Sequence, residues 1–216
     1  MSDFYQNGII TNLHNLRVQD TESLEKELLA FSKVRPMGLV LPSLYSELLS
    51  PALSKIVDEL TQVKYLNQIV IGLDRATKYE YKDAINYFAK LPQDHVILWN
   101  DGPRLKAFDK KLQKMKIAPQ EMGKGRNVWY CFGYILASSK VESVALHDCD
   151  IVTYTRDMLA RLIYPVANPD FNYQFCKGYY SRVSKDKING RVCRLLVTPL
   201  IRSLMKMFPA NEYLEY

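Results

Sequence analysis

Short apolar runs alternate with helix-period stretches along most of this chain, and that alternation limits the folds open to it more than any single motif does. Gly-Leu-Val-Leu-Pro at 38–42, residues 68–73, His-Val-Ile-Leu-Trp at 95–99 and Val-Ala-Leu at 144–146 read as short buried strands. Between them, residues 51–63 carry Leu53, Ile56, Val57 and Leu60 at helical spacing. Residues 79–91 repeat the helical pattern until Pro92 breaks it, and 104–115 and 127–138 form two more helices. A helix over 156–164 follows the last strand, and a helical lead-in marked by Leu24, Leu28 and Phe31 precedes the first. Strands joined through helices make right-handed βαβ units, so the expected fold class is α/β, a mostly parallel sheet flanked by helices.

This pattern divides the chain into a helical lead-in over 1–36, an α/β region over 37–164 and a further region over 165–216. In the last of these, Tyr173, Phe175 and Lys177 alternate with Gln174 and Cys176 as in a strand, a polar loop carries Asn189-Gly190, and 192–208 is helical. The sequence stops at Asn211-Glu-Tyr-Leu-Glu-Tyr216 with no closing element, so a truncated chain is expected.

Composition removes several classes of function. With 216 residues, 48% hydrophobic and 24% charged, the chain can bury a full core and is not disordered. Its apolar runs fall far short of a bilayer span and no basic-then-apolar leader opens it, which points to a cytoplasmic protein with no membrane segment. Cys131, Cys149, Cys176 and Cys193 lack any C-x-x-C spacing and the three histidines are far apart, against a zinc site or a disulfide framework. The net charge of +6 is spread along the chain apart from Lys110-Lys111 and residues 185–187. Small anionic substrates account for such an excess, and nucleic acid is not expected as a partner.

The chemistry concentrates where strands end. If residues 144–146 form a strand, Asp148 and Asp150 leave its carboxyl end on one side, because side chains alternate along extended backbone. Thirteen aspartates would give an Asp-x-Asp triplet roughly 0.8 times by chance, so position carries the argument: ligands of open α/β sheets bind at carboxyl ends of strands. Two adjacent carboxylates stay ionised together when a cation lies between them, and hard oxygen donors suit Mg²⁺ or Mn²⁺ with a substrate diphosphate. Asp74 ends the second strand, where it can accept from a base or ribose or else cap the next segment; Asp101, inside Asn-Asp-Gly-Pro, reads as a turn residue. Gly123-Lys-Gly-Arg-Asn127 precedes a helix and offers close backbone approach with Lys124 as a phosphate cation, though without Walker spacing. Lys177, Arg182, Arg191 and Arg194 lie near Gly178 and Gly190, a basic loop able to hold an anionic acceptor or simply solvated.

In this order, Leu39-Val-Leu-Pro-Ser-Leu-Tyr-Ser-Glu47, Gly123-Lys-Gly-Arg-Asn-Val-Trp129, Asp148-Cys-Asp150, Lys177-Gly-Tyr-Tyr and Asn189-Gly-Arg-Val192 resemble the glucosyl-3-phosphoglycerate synthases, glycosyltransferases of the GT-A fold in glycosyltransferase family 81. The resemblance implies that Pro42, Leu44 and Glu47 line a uridine pocket and that Lys124 contacts the donor. It further implies that Asp148 and Asp150 bind the divalent ion and the sugar, and that Gly190, Arg191 and Val192 hold the acceptor, beside Lys177. The implied activity is metal-dependent, configuration-retaining transfer of glucose from UDP-glucose to 3-phosphoglycerate or a similar small hydroxy acid. A lipid or polysaccharide acceptor, a non-catalytic nucleotide-sugar-binding protein and a nucleotidyltransferase are the rivals, and a homodimer is compatible with all of them. The chain departs from the family at Tyr45-Ser46, where Asn-Glu is common, at Leu73-Asp74, and at Cys193, where Thr is frequent. A family His that completes the metal site lies beyond the matched stretch.

Overall fold

The computed structural model describes residues 13, 20–178, 183–184, 187–188, 193–211 and 214. They fall into two compact units, one spanning Gln19–Lys177 and the other taking in Leu13, Gly178 and the described residues beyond it. In the larger unit, β1 (Met37–Leu44), β2 (Leu66–Asp74), β3 (Asp94–Trp99) and β4 (Ser143–Leu146) form a sheet in the order β3-β2-β1-β4. Every pairing is parallel. Six helices connect and cover them: α1 (Thr21–Phe31), α2 (Pro51–Leu60), α3 (Lys78–Phe88), α4 (Pro103–Lys114), α5 (Lys124–Ser138) and α6 (Arg156–Ala167).

Local sequence explains the helix starts. Ser50 accepts from the Leu53 amide at 3.4 Å with Pro51 in the first turn, and Thr77 and Glu80 cap each other's backbone amides at the start of α3. Asp20 accepts from the Ser23 amide at 2.8 Å to open α1. α5 starts three residues before the expected 127, because Gly123 is its cap at φ 143°, a conformation only glycine adopts cheaply. α6 runs past Pro165, whose effect is confined to the last turn; Arg35 Nη1 donates to the Val166 and Asn168 carbonyls at that end.

Alternation in the central strands sends side chains to two cores. Leu39, Leu41, Ile69 and Ile71 join Leu28, Leu53, Ile56, Phe88, Leu159 and Ile163 on one face. Val40 and Val70 face Cys131 and Ile135 of α5 on the other. Covered on both sides, β1 is buried from Met37 to Ser43 and apolar from Met37 to Pro42, as parallel strands tend to be. Pro42 is tolerated inside β1 because β4 pairs with β1 only over Met37–Val40, so the missing amide falls past the last residue with a neighbour on that side.

α1 packs against α6 through Thr21–Asp157, Glu25–Arg156 and Glu27–Tyr164 contacts, so α1 belongs to the larger unit. Residues 171–178 are not a strand: Phe171 packs edge-on against Tyr164 and Tyr173, and Phe175 is exposed. Among the described residues no β neighbour satisfies an extended backbone there, and Phe171 packs against aromatic rings instead. In the smaller unit, β5 (Val183–Ser184) pairs antiparallel with β6 (Lys187–Ile188), and a π-helical turn (Cys193–Val197) leads into α7 (Thr198–Met207). Among the described residues no helix is long and apolar enough to cross a membrane.

Candidate functional site

A cleft of about 320 Å³ opens at the carboxyl edge of the sheet. β1 and the turn after it contribute Pro42, Ser43, Leu44 and Glu47; β2 contributes Asp74, Arg75 comes directly after it, and Asp101 follows β3. Met122, Gly123, Lys124 and Asn127 enter from the start of α5, and Asp148, Cys149 and Asp150 from the end of β4. Parallel order explains the gathering, since all four strands end on the same edge.

The period-two pattern of β4 continues into the loop. Ala145, His147 and Cys149 are buried, whereas Leu146, Asp148 and Asp150 are exposed, so both carboxylates reach the cleft side. Burial pushes the His147 pKa down to about 4, against a smaller opposing pull from Asp148, so its ring is neutral at pH 7. It packs edge-on against Tyr154 in the core. Burial pushes the Cys149 thiol up, keeping it protonated and unsuited to metal binding. Lys124 pairs with Asp148, and because both side chains are half exposed the pair is weak and open to exchange with ligand groups.

Glu47 is less free than its sequence position indicates. Its Oε2 accepts the Leu44 amide at 2.7 Å, which folds the turn after β1 and leaves one carboxylate oxygen for a ligand. Asp74 is held above its usual carboxylate range, mainly by burial; a hydrogen bond from Asn100 opposes the shift and Asp101 adds to it. Asp101 is a turn organiser, as its sequence context indicated: it accepts the Ala76 amide at 3.0 Å and lies 3.6 Å from Lys106. Trp99 Nε1 donates to the Ala76 carbonyl at 2.8 Å and its ring stacks on Tyr81 at 4.8 Å. Between these clamps Arg75 adopts φ 54°, an unusual backbone for a non-glycine residue, and it lines the cleft.

The residues expected on the donor side, Pro42, Leu44, Glu47, Asp74, Lys124, Asp148 and Asp150, all line this one cleft. Lys177, expected on the acceptor side, is exposed and not among the lining residues, and Gly190, Arg191 and Val192 lie outside the described residues. Arg75 and Asn127 line the cleft without having been assigned a role from sequence. For Arg75 the available signal was its place directly after a strand-ending Asp. Among the described residues no group of three or more His, Cys, Asp or Glu could hold a metal. Asp148 and Asp150 nonetheless fit Mg²⁺ or Mn²⁺: two exposed hard-oxygen donors beside an anion-sized cleft leave the remaining positions to water and phosphate, as Mg²⁺ prefers.

The parallel sheet with an acidic, lysine-bearing cleft at its carboxyl edge fits the GT-A-type fold expected from the sequence. In sequence the chain is similar to two glucosyl-3-phosphoglycerate synthases. It is 46% identical over 216 residues to the glucosyl-3-phosphoglycerate synthase of Persephonella marina, which covers all of this chain and 53% of that protein. It is 39% identical over 206 residues to the enzyme of that name from Methanococcoides burtonii, covering 94% of this chain and 50% of that protein. The chain thus spans about half the length of the curated relatives it matches. No family model matches it. The fold is similar to that of glucosyl-3-phosphoglycerate synthase from Mycobacterium tuberculosis. In complex with Mn²⁺, UDP and glucosyl-3-phosphoglycerate, that protein superposes with a TM-score of 0.57 at 20% identity, over 91% of this chain and 58% of that one. Its complex with Mn²⁺, UDP-glucose and phosphoglyceric acid gives 0.56 at 19% identity, over 90% and 58%.

Proposed function

We propose that this chain carries the donor-binding half of a glucosyltransferase that moves glucose from UDP-glucose to 3-phosphoglycerate or a similar small hydroxy acid, with Mg²⁺ or Mn²⁺. The observation that supports this reading most is the meeting of Pro42, Leu44, Glu47, Asp74, Lys124, Asp148 and Asp150 in one cleft. The 46% and 39% identities to glucosyl-3-phosphoglycerate synthases support the substrate pair. A cytoplasmic location is part of the proposal, supported by the unpaired, buried Cys131 and Cys149.

In this reading the turn after β1 and the half-buried Asp74 hold the nucleoside, with Asp74 accepting from base or ribose hydroxyls. Asp148 and Asp150 would hold the divalent ion, which when bound supplies charge neutralisation for the departing diphosphate. Lys124 turns from Asp148 to the phosphates and adds a cation where negative charge develops as the glycosidic bond breaks. His147, neutral beneath the aspartates, brings no competing positive charge to the site. Arg191, with Gly190, Val192 and Lys177, binds the acceptor's carboxylate and phosphate, and rate comes from presenting its hydroxyl to the anomeric carbon.

The test is incubation of the chain with UDP-glucose, 3-phosphoglycerate and Mn²⁺, with UDP and the glucosylated acid followed by chromatography and mass spectrometry. Formation of both in equal amounts supports the reading. Release of glucose 1-phosphate in place of UDP, with the uridylyl group on the acceptor, would instead assign a nucleotidyltransferase and overturn it.

A further inference from the structure

Asn127 is a polar side chain buried to 3% exposure in the first turns of α5, on the floor of the cleft. Its Nδ2 donates to the Gly72 carbonyl of β2 at 2.8 Å, and its Oδ1 lies 3.7 Å from the Cys131 thiol, which donates to it. Its own amide donates to the Gly123 carbonyl at 3.1 Å, closing the first turn of the helix. The amide fits there only because residue 72 has no side chain: a Cβ on Gly72 would meet Asn127 Oδ1 at 1.8 Å. Gly72 stands two residues before Asp74 at the same edge of the sheet. One side chain therefore joins the helix that carries Lys124 to the strand that carries Asp74.

We propose that Asn127 is a positioning residue of the donor site, fixing the Lys124 ammonium over the cleft through the bond between its amide and the Gly72 carbonyl. The inference rests on the proposed donor role of Lys124 and deepens it. Lys124 begins α5 directly after Gly123, whose φ of 143° gives the approach its conformational freedom; Arg126 and Tyr130 anchor the start of the helix to Asp109 of α4, and Asn127 anchors it to β2, the strand that carries Asp74. Gly123 and Gly125 have nothing within 4 Å of a built Cβ, so packing at those two positions does not locate the turn. The Lys124–Asp148 pair is half exposed and does not hold it firmly either. The geometry of the amide matters: Asn offers a donor to the carbonyl and an acceptor to the thiol at once, whereas Asp would put a second acceptor against the carbonyl.

The test is a double-mutant cycle read by calorimetric titration of UDP in the presence of Mn²⁺, using wild type, Asn127→Ser, Lys124→Ala and the double variant, with cooperative melting of each followed in parallel. Asn127→Ser is expected to weaken UDP binding about tenfold when Lys124 is present and less than twofold when it is absent, because the effect passes through the lysine. A purely structural role would lower the melting temperature but cost the same fold in both backgrounds, and that result overturns the inference. If Asn127→Ser does not melt cooperatively, Asn127→Thr, which keeps a hydroxyl donor, replaces it in the cycle with the same two expectations. Wild-type chain that binds no UDP with Mn²⁺ overturns both the donor-site reading and this inference. Intact wild-type binding with additive losses overturns this inference alone.

Discussion

Replacing Gly72 with alanine adds one methyl at the point where β2 meets α5. That methyl would lie 1.8 Å from Asn127 Oδ1 and 2.7 Å from Cys131 Sγ, far inside contact distance. Gly72 sits in the middle of the sheet, in register with Pro42 and Leu98, so the strand cannot move aside. Asn127 must therefore swing out, losing its 2.8 Å bond to the Gly72 carbonyl and leaving a buried amide without its acceptor. Losing a buried polar partner costs about 1–3 kcal/mol and overpacking a core about another 1–3 kcal/mol. The expected loss is thus about 2–6 kcal/mol, a large share of the roughly 5–15 kcal/mol that holds a typical domain folded. Urea denaturation followed by circular dichroism measures it directly. Asn127→Ala in the same chain removes the closest clashing atoms, so the second substitution should cost clearly less in the Gly72→Ala background than in wild type. A Gly72→Ala protein within about 0.5 kcal/mol of wild type would refute the packing argument, because that is the range of a neutral surface change.

Lys124→Ala should weaken UDP binding at least several-fold while moving stability by less than about 1 kcal/mol, since its ion pair with Asp148 is half exposed; a matched loss of stability would assign the lysine a structural role. His147 gives a pH dependence with a defined sign. Its folded pKa near 4 lies below the ordinary 6.5, so the unfolded chain takes up the proton first and stability falls as pH drops from about 6.5 towards 4. The full loss is of order 3 kcal/mol, and urea melts between pH 7 and 4.5 should show a shallower fall for His147→Phe than for wild type; parallel curves would contradict the assignment. Asp101→Ala removes the acceptor of the Ala76 amide and should cost about 1 kcal/mol and loosen the loop carrying Arg75, read as faster amide exchange at Ala76.

Much of the larger unit was legible because its signals are periodic. Leu39, Val40, Leu41 and Ile69, Val70, Ile71 alternate between the two cores, so apolar runs located β1 and β2 within a few residues. The alternation Ala145, His147, Cys149 against Leu146, Asp148, Asp150 carried the same logic into the loop and put both carboxylates on one side. What escaped has no periodic signature. Asn127 reads in sequence as one more polar residue of a glycine-rich loop, and only the meeting of α5 with Gly72 shows why an amide is buried there. The left-handed backbone of Arg75 depends on clamps from Trp99 and Asp101, more than twenty residues away in sequence. Residues 173–177 alternate as a strand would but have no partner strand among the described residues, and a strand exists only as part of a sheet.

The central claim is that Asp148 and Asp150 make this cleft a metal-dependent site for UDP-glucose, and calorimetric titration of UDP-glucose into the chain with and without Mn²⁺ tests it most directly. Binding that requires Mn²⁺ and disappears in Asp150→Ala, while GDP-mannose and ATP bind weakly or not at all, is the predicted result. Equal affinity with and without the metal, or an Asp150→Ala chain that binds as wild type does, would contradict it.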